Sequence, residues 1–424
     1  MRASKMQATL VAVGASVLGA VCFVLPTPSA GAATLSSALT ESSATSCAGT
    51  PIVIGQIASA TGAFSFPDAP VAAKVAVAAV NKTCEDGRPL KLITCDDQSD
   101  PNAGVTCAHE LVSDHVVAMV GNASGELSQA MSVTQAAGIP SVFNAGLTVW
   151  EVSNKLSYPE NISLVQSAAV VNAAVGSGAK SIAFVAADLP LSSEVVGLLT
   201  SVAKPLGVKV IPLLYPPSTT DFSTLAAEAV AAKASAILVT AGASQSPPLF
   251  KALGQQGLAS KTLLMTSAAL FTPATISALG SAADNVYVIA PAALPVDATG
   301  TNAGITKMRK EYAADGQNSS NSNMTAQASI AWTGVHVFAD AVKSTKTVTP
   351  ASVQTALSSI GTVSQPQIPN WNASKNALPQ LPVLAHFRVT SGGLFWYRVE
   401  GGKYTPVGSG AISASKPFSL TAKG

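Results

Sequence analysis

The sequence predicts an α/β fold made of two doubly wound parallel-sheet lobes, and three observations carry that prediction. Residues 90–124, LKLITCDDQSDPNAGVTCAHELVSDHVVAMVGNAS, read as strand, polar turn, helix, strand and Gly-containing turn. Such a unit builds a parallel sheet whose ligand groups sit on the loops after the strands. The same alternation starts again near Tyr158 and runs on to about Ala293. Finally, 424 residues with 48% apolar and only 11% charged content can bury a large core and fill two lobes, which excludes a chain disordered as a whole.

Residues 1–32 read as a secretory signal: Arg2 and Lys5 form the basic start, an apolar run reaches about Leu25, and Ala30-Gly31-Ala32 is a small-residue cleavage pattern. Cleavage predicts a mature start near Ala33 and a flexible leader over 33–46. Cys22 follows Val21, where a lipoprotein signal needs a small residue, so no lipid anchor is expected there. No later run of about 18 apolar residues offers a second membrane span. Removing Arg2 and Lys5 leaves 22 basic against 22 acidic residues. A formally neutral mature chain, with no interleaved basic and aromatic surface, argues against a nucleic-acid partner.

The first lobe is expected to hold a strand over Pro51 to Gln56, a helix over Asp68 to Asn81, the unit above, a helix over Glu126 to Ala137 and a strand over Pro140 to Phe143. NISLVQSAAVVNAAVGSGAKSIAFVAAD then gives helix and strand, and the pair recurs four more times in the second lobe. Helices follow near Asn302–Ala314 and Thr325–Lys343. Beyond Thr347 a Pro-, Asn- and Ser-rich loop precedes AHFRVT and LFWYRVEGGKYTPV, which read as antiparallel strands with Gly392-Gly393 in the turn, packed on the second lobe. The boundaries are 50–158 plus 297–360 for lobe 1, 159–296 plus 361–414 for lobe 2, and a loose tail over 415–424.

Four cysteines in an exported mature chain allow three pairings. Cys95 ends the second strand and Cys107 lies in the second turn of the next helix, at one edge of the sheet. Cys47 precedes the first strand and Cys84 follows the first helix, at the opposite edge. Cys95–Cys107 and Cys47–Cys84 are therefore expected. No CxxC occurs, and His109 and His115 fall off a common helix face, so no metal site or cofactor is expected.

IVIGQIASATGAFS, DDQSDP, VVAMVG and AAGIPSVFNAG, in this order between Pro51 and about Lys343, resemble the branched-chain amino-acid type of extracytoplasmic solute-binding protein, with the type 1 periplasmic binding fold. That family feeds ABC importers. The resemblance implies a multi-strand hinge, closure around a ligand, a permease partner, and Ser124 and Ala145 at positions that hold a ligand carboxylate.

Ligands of open α/β sheets sit beyond the carboxyl ends of the strands, which selects the loops 59–65, 121–125, 144–150, 187–193, 241–246 and 267–271. The candidate residues are Phe64, Ser124, Ala145, Gly146, Leu147, Trp150, Asp188, Leu191, Ser244, Gln245 and Leu270, with Leu189 as a further apolar wall. Ser124, Ala145 and Gly146 would take a carboxylate; Gly121 and Gly146 could equally serve only as turns, and Asp188 could equally cap a helix. The relatives' acidic residue after the later strand is replaced by Ala268, Ala269 and Leu270, which disfavours a free α-amino acid held in the usual manner; Glu126, Glu151 or Asp188 are the groups left to reach an ammonium. Ser-x-x-Lys matches lack their companion motifs, GLASKT lacks a Walker glycine, and His336 and His386 are isolated, so no enzyme is expected. The sequence points to a monomeric solute-binding protein delivering a small organic ligand to an ABC importer, or to a sensor with the same fold.

Overall fold

Five parallel strands form the first sheet: β1 (Ile52–Ala58), β2 (Leu90–Asp96), β3 (Met119–Val120), β4 (Ser141–Val142) and β5 (Ser157–Tyr158), in the order β2-β1-β3-β4-β5. The computed structural model describes residues 47, 49–62, 65–84, 88–146, 148, 151, 153–160, 163–242, 244–294, 302–318, 324–379 and 388–420, apart from the side chains of 163, 164, 190, 191 and 194. The signal, the leader and Cys22 lie outside these residues, as do Phe64, Leu147, Trp150, His386 and the side chain of Leu191. β1 and β2 pair in register from Ile52↔Leu90 to Ala58↔Asp96, and an isolated bridge, Ala58↔Ala123, extends the β1–β3 seam.

The connecting helices follow from local chemistry. α1 (Asp68–Thr83) buries an alanine and valine face, including Ala69, Ala72, Val75, Ala76 and Val80. Asp100 accepts from the amides of Asn102 (2.7 Å) and Ala103 (3.0 Å), and Pro101 costs nothing at the first position of α2 (Pro101–Ser113). α3 (Leu127–Ala136) completes the unit.

The second sheet takes β6 (Ser181–Ala187), β7 (Lys209–Tyr215), β8 (Ala236–Thr240), β9 (Leu263–Ser267) and β10 (Tyr287–Ala290) in parallel, in the order β10-β9-β8-β6-β7. The pleat alternates faces: Ile182 and Phe184 join one apolar cluster, Ala183 and Val185 the other. Both faces are covered, by α4 (Ser163–Gly176) and α5 (Pro190–Ala203) on one side and by α6 (Ser223–Ala231) and α7 (Ser246–Gln255) on the other. These strands accordingly read as continuous apolar runs. Short helices α8 (Leu258–Lys261) and α9 (Pro273–Leu279) finish this part. α10 (Ala303–Ala314), α11 (Ala326–Val342) and α12 (Pro350–Ser359) return to the first sheet, where Met308, Tyr312, Trp332, Phe338 and Leu357 join Ile54 and Val75 in one core.

Two expectations about the C-terminal region are corrected. The antiparallel hairpin is β13 (Gly393–Glu400) with β14 (Lys403–Pro406), and its turn is Gly401-Gly402, both at positive φ (56° and 74°), the geometry a two-residue hairpin requires. Gly393 lies in the strand instead, and Ser391 makes only an isolated bridge to Trp371. β13 adds antiparallel to β10, from Tyr287↔Arg398 to Ala290↔Phe395, and so extends the second sheet. Residues 415–420 are not loose: Phe418 stacks against Trp396 at 5.6 Å and Leu420 is buried. Gly176 permits this, because a Cβ there would meet the Phe418 carbonyl oxygen at 2.1 Å. β11 (Thr362–Val363) pairs with β12 (Trp371–Asn372), and β15 (Ile412–Ser413) pairs with β13. Among the described residues no helix is long and apolar enough to cross a membrane.

Disulfides join Cys47 to Cys84 and Cys95 to Cys107, with Cα separations of 5.5 and 5.6 Å, at opposite edges of the first sheet. They close loops of 37 and 12 residues. By chain entropy these are worth roughly 4 and 3 kcal/mol. Replacing Cys47 and Cys84 together with alanine is expected to lower the unfolding free energy more than replacing Cys95 and Cys107; denaturant titration of the two double variants measures the order.

Candidate functional site

The carboxyl ends of β1, β3, β4 and β5 bring four loops to one edge of the first sheet. After β1, Ser59 is buried with its amide on the Ala123 carbonyl (3.0 Å) and its hydroxyl unpartnered. The next turn is held by Asp96, whose carboxylate accepts from the amides of Ala60 (2.9 Å) and Thr61 (3.2 Å) and from the Thr61 hydroxyl (2.7 Å). Burial works against that charge, but the hydrogen bonds from Thr61, Gln98 and Ala60 outweigh it and hold Asp96 below its ordinary value. After β3, Ser124 is fully buried and its Oγ accepts from the Glu126 amide (2.9 Å). Burial, then the charges of Asp97 and Asp100, push Glu126 up.

The loop after β4 departs most from expectation. Asn144 Nδ2, the Gly146 amide (3.3 Å), the Thr148 amide (2.8 Å) and the Thr148 hydroxyl (3.0 Å) all donate to Glu151, which is fully buried. The Ala145 amide donates to the Asn122 carbonyl (3.2 Å). The backbone donors expected for a ligand carboxylate at Ala145 and Gly146 are thus committed inside the protein, and a side-chain carboxylate five residues downstream takes the latter. Burial raises Glu151 in spite of its hydrogen bonds from Asn144, Thr148 and Gly146. After β5, the Glu160 amide donates to the Asn144 carbonyl (2.9 Å), while both Glu160 carboxyl oxygens are buried without a partner. Burial alone pushes Glu160 well above the ordinary 4.5.

At the edge of the second sheet, Asp188 is exposed after β6 and does not cap α5, whose N-cap is Leu189 with no side-chain bond. Leu189 is 47% exposed, free to serve as an apolar wall. Ser244 is exposed, whereas Gln245 is committed: it donates to the Pro217 carbonyl (2.8 Å) and accepts from the Tyr215 hydroxyl (3.2 Å). Ala268 and Leu270 are buried in the turn after β9.

A cavity of about 370 Å³ joins the two parts, lined by Phe66 and Asp68 at the start of α1, Ala269 and Thr272 after β9, and Thr325 and Gln327 at the start of α11. Asp68 accepts from the Thr325 amide (3.2 Å) and hydroxyl, and burial raises it. Gln327 is buried with Oε1 unpartnered. Among the described residues no three His, Cys, Asp or Glu side chains group as metal ligands.

Two parallel sheets whose carboxyl-end loops share a cavity form the arrangement of a ligand-closing protein, and a family model described as periplasmic binding protein matches residues 51–390. The chain belongs to the periplasmic binding protein family. No curated protein sequence matches this binding protein. Among solved structures it is similar to a fatty acid ABC transporter substrate-binding protein from Thermomonospora curvata (15% identity, 86% of this chain and 92% of that one, TM-score 0.71). It is similar also to a leucine binding protein from Thermotoga maritima (14%, 85% and 99%, TM-score 0.68) and to a solute binding protein from R. palustris in complex with benzoate (17%, 88% and 100%, TM-score 0.65).

Of the candidate residues, the structure brings Ser124, Ala145 and Gly146 to one edge of this binding protein and Asp188, Ser244, Gln245 and Leu270 to the other. It also places there Asp68, Gln327, Glu151 and Glu160, of which only Glu151 was considered, and in a different role. Glu160 carried a usable signal, an acidic residue directly after a strand in a chain with few charges. Asp68 and Gln327 carried none, since both sit at helix starts where polar residues are ordinary.

Glu151→Ala would leave buried donors at Asn144, Gly146 and Thr148 unpartnered and is expected to destabilise the protein by more than roughly 3 kcal/mol, with Glu151→Gln recovering part of the loss; thermal and denaturant unfolding measure both. Glu160 binds its proton more tightly folded than unfolded, so its contribution is fully present below about pH 4.5 and drains away as the pH climbs through its raised value. The unfolding midpoint is therefore expected to fall with pH above 5, less steeply in Glu160→Gln than in wild type.

Proposed function

We propose that the protein is an extracytoplasmic solute-binding protein that closes on a small organic molecule, amino-acid-like or an apolar carboxylate, and delivers it to an ABC importer. The observation that carries the reading is the cavity shared by the starts of α1 and α11 and the turn after β9, because such a cavity changes volume when the sheets move relative to each other. Membership of the periplasmic binding protein family supports it. The names of its structural neighbours, which mention a fatty acid, leucine and benzoate, support a small organic ligand. Lobes over 50–158 plus 297–360 and over 159–296 plus 361–414 would be the moving bodies. The molecule would be secreted by its signal over 1–32, remain monomeric, and act by binding and release with no covalent step.

Phe66 and Ala269 supply apolar wall to the cavity, and Leu270 lies beside it in the turn after β9. Burying one such side chain against a ligand contributes about 1.5 to 3 kcal/mol, so two or three contacts support micromolar binding after association costs. Native mass spectrometry of the purified protein is expected to reveal a retained small molecule, and small-angle scattering to show a smaller radius of gyration once that molecule is added back. A protein that carries no ligand, and whose scattering is unchanged by amino acids, fatty acids and aromatic carboxylates alike, would defeat the proposal.

A further inference from the structure

We propose that Glu160 is a ligand-binding residue: its buried carboxylate, at the carboxyl end of β5 with neither oxygen partnered, receives the ammonium of an amine-bearing ligand. This rests on the solute-binding reading above and selects between its two ligand classes.

Four other carboxylates near this edge are served from within, although Asp97 keeps one buried oxygen, Oδ2, unpartnered. Asp96 takes three donors from residues 60 and 61, Glu151 takes four from its own loop, Asp68 takes two from Thr325, and Asp100 takes two from the start of α2. Glu160 takes none, although it is as deeply buried as Glu151. An unpaired carboxylate at such depth is among the costliest groups a fold can hold.

Its backbone is nonetheless fixed. The amide is held by Asn144, in the loop after β4, and the carbonyls of Pro159 and Glu160 accept from the Thr390 hydroxyl at 2.6 and 3.3 Å. Trp371 Nε1 also donates to Pro159 (2.8 Å). These bonds tie the segment leaving the first sheet to the segment entering β13, so Glu160 stands where the chain crosses between sheets and on the edge where open α/β sheets take ligands.

Among the described residues no cation pairs with it. Arg388 donates to the carbonyls of Ala373 (2.7 Å) and Lys155 (2.8 Å) and lies over the Tyr158 ring at 4.2 Å. Among the described residues no group of three His, Cys, Asp or Glu side chains forms around it to hold a metal ion. An ammonium, with three donors for two free carboxylate oxygens, matches what Glu160 offers. The capture of Gly146 and Thr148 by Glu151 agrees, since it removes backbone donors that a ligand carboxylate alone would use. Charge recognition then falls to the acidic group.

The test is calorimetry on the mature protein and its Glu160→Gln variant with three matched series: amino acids, their deaminated acids and their decarboxylated amines. An amine-bearing member is expected to bind wild type, its deaminated counterpart to fail, and Glu160→Gln to weaken the amine by roughly 10- to 100-fold. Glu160→Asp, which keeps the charge, should retain the preference for amines. Because burial raises Glu160, wild type should also release a proton on binding, read from two buffers of different ionisation enthalpy. The titratable groups on the segments packed there are Glu151, Tyr158 and Arg388, and Glu160→Gln removes the release only if Glu160 is its source. Deaminated acids that bind as well as their parents, or amines indifferent to Glu160→Gln, overturn this inference and leave the solute-binding reading intact. Absence of binding in all three series overturns this inference as well, and the solute-binding reading falls with it only if fatty acids and aromatic carboxylates also fail to bind.

Discussion

The close approach of α11 to the first sheet is the constraint on which most of the structure depends. Fifteen of its 17 residues are buried, so it is a helix inside the protein, with no solvent face of its own. Contact at that depth needs small residues. A Cβ on Gly121 would meet the Ala331 Cα at 2.8 Å, and one on Gly334 would meet the Phe143 Cβ at 2.9 Å. Gly121 also holds φ at +64°, which makes it the one residue type able to turn the chain there without strain. Gly121 and Phe143 directly precede the loops that carry Ser124 and Glu151, so the same contact that fills the core sets the height of the candidate site.

Several polar groups on α11 are handled locally, while Gln327 Oε1 and Ser329 Oγ stay buried without a partner. Thr333 donates back to the Ser329 carbonyl (2.7 Å), and Glu311 of α10 accepts from Trp332 Nε1 (2.7 Å) and lies 2.9 Å from His336 Nε2. With only 11% of residues charged, packing of alanine, valine and glycine faces carries the fold, and ion pairs contribute little. This is why α1 can lie so close to α11: its buried face is mostly alanine and valine.

Much of this architecture was legible because its signals are periodic. Apolar runs such as IVIGQIA and IAFVAA become strands covered on both faces, and DDQSDP becomes the turn and cap that start α2. The hairpin was misplaced because two Gly-Gly pairs compete: Gly392-Gly393 and Gly401-Gly402 look alike as sequence, and only pairing with β10 decides which one turns. The tail reads as loose because SKPFSLTAKG shows no periodic apolar pattern, while the contacts that dock it lie far away in sequence: Gly176 admits the Phe418 backbone and the Ser177 hydroxyl accepts from the Leu420 amide. At the site, loops were locatable from strand ends, but which donors are free is a tertiary property. Nothing in NAGLTVWE announces that the last residue folds back onto Asn144, Gly146 and Thr148.

The pairing of β10 with β13 has a consequence for how the chain comes together in time. Tyr287 pairs with Met265 on one side but finds its partner on the other only at Arg398, and the buried face of α1 is covered only when α11 arrives. Neither sheet can therefore finish as its own stretch of polypeptide emerges from a ribosome or a translocation pore; the earliest strands must wait for some of the last residues. Contacts of such long sequence separation slow folding and keep intermediates open. A polypeptide that stays incomplete until its C-terminal region appears is one that a secretion channel can still thread.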